Sequence, residues 1–229
     1  MHRFRAMALL AGLLLVAGTA RAHYPWFVPT KDPTKIDLYF EEGPRPGDGE
    51  YLPSFLKGKF WLRTPGQEPT PIKFEEVNKG GQRFLTFTTE AKPPRALEGY
   101  CKYGVYKGNL LFYYFKHLDA QAAKNLKPLA RAEQLDYDLV PSWADGSLEV
   151  QLLWKGKPKG NQAVAVIGPK FREQIRSDDS GIVRFKPPAS GLYTLRTSFV
   201  DAEPAGKDDG NDYKGLRQTA TLTINLPVE

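Results

Sequence analysis

The rhythm of its breaks constrains this chain most. Short runs rich in β-branched and aromatic residues recur along it, each closed by a cluster of Gly, Pro, Asn or Asp. That spacing predicts strands joined by turns rather than helices. In the first half the runs are 36–41, 59–63, 72–76, 83–88, 100–106, 110–117 and 135–140. In the second they are 148–154, 163–167, 173–176, 182–186, 192–200 and 218–226. A helical turn or two around 120–126 is the one non-strand element expected. In the last run Ala220, Leu222, Ile224 and Leu226 alternate with Thr219, Thr221, Thr223 and Asn225, which predicts one apolar and one wet face. Residues 141–146 read as a linker. The expected class is therefore all-β: two antiparallel β-sandwich domains, 23–141 and 142–229, behind a cleaved signal peptide, 1–22.

The signal is read from Arg3 and Arg5, an apolar run over 6–17 and the small-x-small site Ala20-Arg21-Ala22. The apolar run is short for a membrane span, and no later stretch could serve as one. Cleavage changes the chemistry on offer. The full chain has a formal net charge of +6; losing Arg3, Arg5 and Arg21 leaves 29 basic against 26 acidic residues, a net +3. No basic stripe remains for nucleic acid. Met1 and Met7 are the only methionines, so no thioether site for cuprous copper is available in the processed chain. The new first residue is His23, whose α-amine and imidazole could together chelate a borderline metal. The alternative is a histidine that merely follows the cleavage site.

Two stretches carry a resemblance. The turn 156–162, the tight turn Ser177-Asp178-Asp179-Ser180-Gly181 and the strand start Gly191-Leu192-Tyr193-Thr194-Leu195 resemble carboxypeptidase-regulatory-like or transthyretin-like modules. Ala22-His23-Tyr24-Pro25-Trp26-Phe27, Gly99-Tyr100-Cys101-Lys102-Tyr103-Gly104, the aromatic run 110–116 and Asp209-Gly210-Asn211-Asp212-Tyr213 resemble an exported bacterial family of unknown function, formerly labelled a nickel-uptake (NikM-type) component. That resemblance implies a periplasmic or secreted protein of two Ig-like or transthyretin-like sandwiches. It also implies a role in nickel or cobalt handling, with His23 as a ligand and a metal-transporter membrane component as a partner.

Few other residues could carry chemistry. His117 ends the aromatic strand and is either a second ligand or a hydrogen-bonded strand-end histidine. The single Cys101 cannot form an internal disulfide and is expected as a buried small hydrophobe. Its relation to His117 depends on the hairpin. A three-residue loop Lys107-Gly108-Asn109 sets Cys101 opposite Phe115, diagonal to His117; a two-residue Gly108-Asn109 turn, the favoured reading, sets it opposite Lys116. The acidic run 208–212 reads as a solvated turn, lacking the spacing and distal glutamate of a calcium loop. The breaker-rich loop 43–49 is too irregular to cradle phosphate.

The expected function is that of a non-enzymatic exported binding protein that takes nickel or cobalt, with copper as an alternative, through His23. Two other classes stand beside it. One is a structural or carbohydrate-binding envelope module that uses Tyr24, Trp26, Trp61 and Trp143 as stacking platforms. The other is a copper monooxygenase whose N-terminal histidine braces the metal with His117.

Overall fold

The computed structural model describes residues 22–226; the predicted signal, all but its last residue, lies outside the described residues. Strand makes up 58% and helix 7%, so the protein is mostly β, as its punctuation predicts. The first half contains β1 (Tyr24–Pro29), β2 (Lys35–Glu41), β3 (Lys59–Arg63), β4 (Thr70–Ile72), β5 (Glu75–Lys79), β6 (Gln82–Thr88), β7 (Arg95–Tyr106) and β8 (Asn109–Asp119). A helix, α1 (Ala123–Ala130), leads to β9 (Tyr137–Ala144), β10 (Ser147–Trp154), β11 (Lys157–Pro158), β12 (Ala163–Gly168) and β13 (Phe171–Arg176). The chain closes with β14 (Ile182–Phe185), β15 (Gly191–Asp201), the small hairpin β16 (Gly206–Asp208) and β17 (Asn211–Tyr213), and β18 (Leu216–Leu226).

One sheet joins the halves. It has eight strands in the order β13-β12-β15-β18-β8-β7-β3-β4. Its neighbours are antiparallel except β18 and β8, which run parallel with Leu216 beside Leu110 and Ile224 beside Leu118. A four-stranded sheet, β1-β2-β6-β5, and another built of β11-β10-β14 with β9 on β10 complete the main framework. The antiparallel expectation therefore needs correcting at the seam where the last strand returns to the first half.

β8 shows why both faces of the shared sheet are buried. Leu111, Tyr113 and Phe115 enter a core with Phe27, Ile36, Leu38 and Leu85 of the four-stranded sheet. Tyr114 and Leu118, pointing the opposite way, enter a second core with Leu139, Val150, Val183 and Leu222. A near-continuous apolar run is what a strand buried on both sides requires. Alternation in β18 is as expected, but its threonine face is not wet. Thr219, Thr221 and Thr223 are buried. The Thr221 and Thr223 hydroxyls donate to the Pro25 and Phe27 carbonyls at 2.7 Å each. β1 was hidden in the sequence by its two prolines. At a sheet edge these are tolerated, and the threonines cap carbonyls that such an edge would otherwise leave open.

Other differences have local causes. Residues 72–76 are two strands: β4 pairs with β3, and β5 with β6, so the chain changes sheets at Lys73-Phe74. The helix sits a few residues later than predicted. Residues 141–144 continue β9, and Asp145-Gly146 is its hairpin turn to β10, with φ of 51° and 69°; the boundary expected at 141/142 thus falls inside a strand. Buried charges hold the preceding segment. Arg63 reaches Glu98 at 2.7 Å and the Arg131 carbonyl at 2.6 Å, and Glu98 also accepts the amides of Glu133 and Gln134. Lys116 pairs with Asp138, which accepts the Ala132 amide at 2.6 Å.

Candidate functional site

β1 and β2 pair antiparallel with Tyr24 opposite Glu41, which brings His23 to the carboxylate that ends β2. The His23 Nε2 lies 3.6 Å from Glu41 Oε2, and the His23 side chain is 20% exposed. Its ring packs at 4.9 Å from Tyr51 and 5.8 Å from Phe40. The Trp26 indole donates to the Glu41 carbonyl at 3.0 Å, fixing the end of β2. His23, Phe40, Glu41 and Tyr51 form one wall of a cavity of about 620 Å³. Its other sides come from β8 (Leu111, Tyr113), β18 (Arg217, Thr219), Ser198 of β15 and the end of β7.

The loop dismissed as a phosphate cradle shapes this wall. Gly47 passes so close to Glu41 that a Cβ there would lie 1.9 Å from Oε1. The Gly49 amide hydrogen-bonds the same carboxylate, and Asp48 stands near it. Burial above all, with Asp48 and Glu42 adding to it, raises the Glu41 pKa above the usual carboxylate value; His23 and the Gly49 amide pull the other way. Tyr103 reaches the cavity because β7 bulges between Lys102 and Gly104, leaving it outside the ladder. The Tyr113 phenol is pushed well above its ordinary pKa, first by burial and then by Tyr103 and Tyr24, with Arg217 opposing. It therefore stands as a neutral hydroxyl at physiological pH.

His117 lies elsewhere. It pairs with Leu97 on β7 and Thr223 on β18, four residues along β8 and β18 from Tyr113 and Thr219, which border the cavity. At about 3.3 Å per residue that is roughly 13 Å of strand. The two imidazoles are not brought together. His117 is fully buried, with Nδ1 2.9 Å from the Thr223 hydroxyl and 3.2 Å from its carbonyl. The carbonyl can only accept, so Nδ1 bears the proton and Nε2 is left without a partner. Burial lowers the His117 pKa to about 4, against the Thr223 hydrogen bond and helped by the Arg95 charge.

Cys101 adopts neither expected register. The turn is Lys107-Gly108, with φ of 48° and 75°, and the bulge shifts the ladder so that Cys101 faces Tyr113. The thiol is buried, donates to the Ser54 carbonyl at 3.3 Å and has its pKa pushed up to about 12 by desolvation. The acidic run 208–212 is a hairpin turn whose Asp208 and Asp212 pair with Lys102 and Lys207. Of the expected stacking platforms Trp26 is buried, and Tyr24, Trp61 and Trp143 are half-buried, Tyr24 beneath the Arg196 guanidinium at 4.1 Å. The exposed rings at the cavity are instead Tyr51 and Tyr106.

Sequence reasoning found His23 and missed Glu41, Tyr51, Tyr113 and Arg217. Only the breaks flanking Glu41 could have flagged it. Among the described residues no group of three or more His, Cys, Asp and Glu side chains is placed to hold a metal, and no helix is long and apolar enough to cross a membrane. Compared with models of known protein families and with curated proteins, the chain matches none.

Proposed function

We propose that this chain is an exported, non-enzymatic binding protein of two transthyretin-like β-sandwiches, and that its site is the cavity at His23. With the segment through Ala22 removed, His23 offers its α-amine and Nδ1 as a six-membered chelate for a transition-metal ion, nickel or cobalt. The observation that carries this reading is the Glu41 carboxylate 3.6 Å from Nε2. A carboxylate on the far nitrogen of an imidazole orients the ring and strengthens its donor, as second-shell acids do at metal sites. It also leaves Nδ1 on the side of the amine. The ion is cargo here, to be passed to a membrane transporter component. This accords with the resemblance to the exported nickel-uptake family.

Calorimetry with nickel, cobalt and copper tests it. A chain beginning at His23 is expected to bind at least about tenfold more tightly than one carrying a single extra N-terminal residue, because the extension converts the amine into an amide. Equal affinities overturn the chelate. Binding is also expected to weaken as the pH falls, because protons compete with the metal for its nitrogen donors. A second reading, a carbohydrate-binding envelope module, draws on the exposed Tyr51 and Tyr106 rings at the cavity; saturable sugar binding without metal would favour it.

A further inference from the structure

The cavity is far larger than an ion needs. Six waters of about 30 Å³ each make a hydrated octahedral ion of roughly 200 Å³, against about 620 Å³ here. The protein's donors are also too few. The amine and Nδ1 of His23 fill two positions, and Glu41 is engaged at Nε2. No three-residue cluster of His, Cys, Asp and Glu exists among the described residues to supply the rest.

Arg217 adds a cation to this lining. Its guanidinium is exposed at the cavity and makes no ion pair among the described residues, while the carboxylates of Glu41, Asp48 and Glu50 and the Lys107 ammonium share the lining. The position of Arg217 follows from the β1–β18 seam. The hydrogen bonds from Thr221 to Pro25 and from Thr223 to Phe27 set a constant offset, so His23 is level with Thr219. Arg217 is the next residue on that face, about 7 Å further along β18. A bare dication leaves this cation without a counter-charge, whereas an outer carboxylate on a metal-bound ligand would pair with it while the metal lies toward His23 and the acids.

We infer that the metal enters the cavity as a complex with a small multidentate carboxylate, one carboxylate of which is held by Arg217. This rests on the metal reading of His23 and names the form in which its cargo arrives. The chelator fills the positions that the protein leaves open. The guanidinium fork matches the chelator's outer carboxylate. The Tyr113 hydroxyl, on the same wall, is a neutral donor to its oxygens.

Calorimetry on the chain beginning at His23, with nickel chloride, nickel–citrate and citrate alone, tests the inference. Nickel–citrate is expected to bind at least about tenfold more tightly than nickel chloride. Arg217→Gln is expected to weaken nickel–citrate by about ten- to hundredfold, the usual loss of a charged hydrogen-bonding partner, and to leave nickel chloride within about twofold. Arg217→Lys, which keeps the charge, should recover part of the loss. If Arg217→Gln binds nickel–citrate as well as the parent does, or if citrate merely strips nickel that the parent binds unaided, the inference is overturned and the His23 chelate stands. If neither form of nickel binds the parent, the chelate itself falls and this inference with it.

Discussion

β1 runs along β18 from the cavity at His23 to the closed end beyond Phe27, and its two ends treat an imidazole in opposite ways. At the open end His23 keeps solvent access and faces a carboxylate, Glu41. At the closed end His117 has no access; a threonine takes Nδ1, and burial holds the ring neutral. Ion pairs divide likewise: Arg63–Glu98 is sealed under the 128–134 segment, whereas His23–Glu41 borders a cavity. Residue type alone thus says little about role. Access and the neighbouring acceptor decide whether an imidazole can take a ligand or only hold strands together.

The largest effect should come from breaking the sealed pair. Glu98→Ala leaves the buried Arg63 charge with only the half-exposed Glu133 as counter-ion, and leaves two amides unpaired. It is expected to cost about 3–5 kcal/mol in urea unfolding. Glu41→Ala, at the open pair, should cost under about 1 kcal/mol while weakening metal binding. Comparable losses at both sites would erase the distinction.

His117 supplies the next test. Its folded pKa of about 4 lies below the ordinary 6.5, so between these values the unfolded chain binds the proton more readily. Stability should therefore be full above about pH 6.5 and fall by roughly 3 kcal/mol as pH drops to about 4. Melting curves of the parent and His117→Gln over that range check it, the variant losing this component of the slope. A slope that survives in the variant would place the titration elsewhere.

Smaller effects sharpen the picture of the seam. Thr223→Val removes the hydroxyl that bonds both Phe27 and His117 and should cost about 1–2 kcal/mol, read as a shift in urea midpoint. Gly47→Ala would drive a Cβ into the Glu41 carboxylate. A few-fold loss of metal affinity with a change of under about 1 kcal/mol in stability is expected, measured by calorimetry and unfolding on the same preparation. Cys101 should resist a thiol reagent at pH 8 until the protein unfolds, because its thiol is buried and titrates near 12. Fast labelling of the native protein would show that the core around it opens.

Much of the framework was legible in the sequence because its signal is local. The runs at 36–41, 59–63, 83–88 and 163–167 lie within strands, since β-branched and aromatic residues between breakers have few other solutions. Asp209-Gly210 is a two-residue turn with both φ values positive, as such a dipeptide between strands suggests. Errors arose where a local signal was cancelled from outside. Two prolines concealed β1, although its partner strand needs nothing from their nitrogens. A bulge of one residue at Tyr103 moved Cys101 to a register that no counting from the turn could anticipate.

The alternation of β18 marks the division most clearly. Its sequence alone determined that four aliphatic residues share one face and that threonines share the other, because successive side chains in a strand point to opposite sides. Whether the threonine face met water depended on β1, a segment nearly two hundred residues away that docks its open carbonyls on those hydroxyls. The candidate site divides in the same way. His23 could be named from the sequence as a donor; Glu41, Tyr113 and Arg217 became its neighbours only when three distant strands converged. Periodicity and turn chemistry are properties of a few consecutive residues, whereas burial, pairing and a cavity wall are properties of what packs against them.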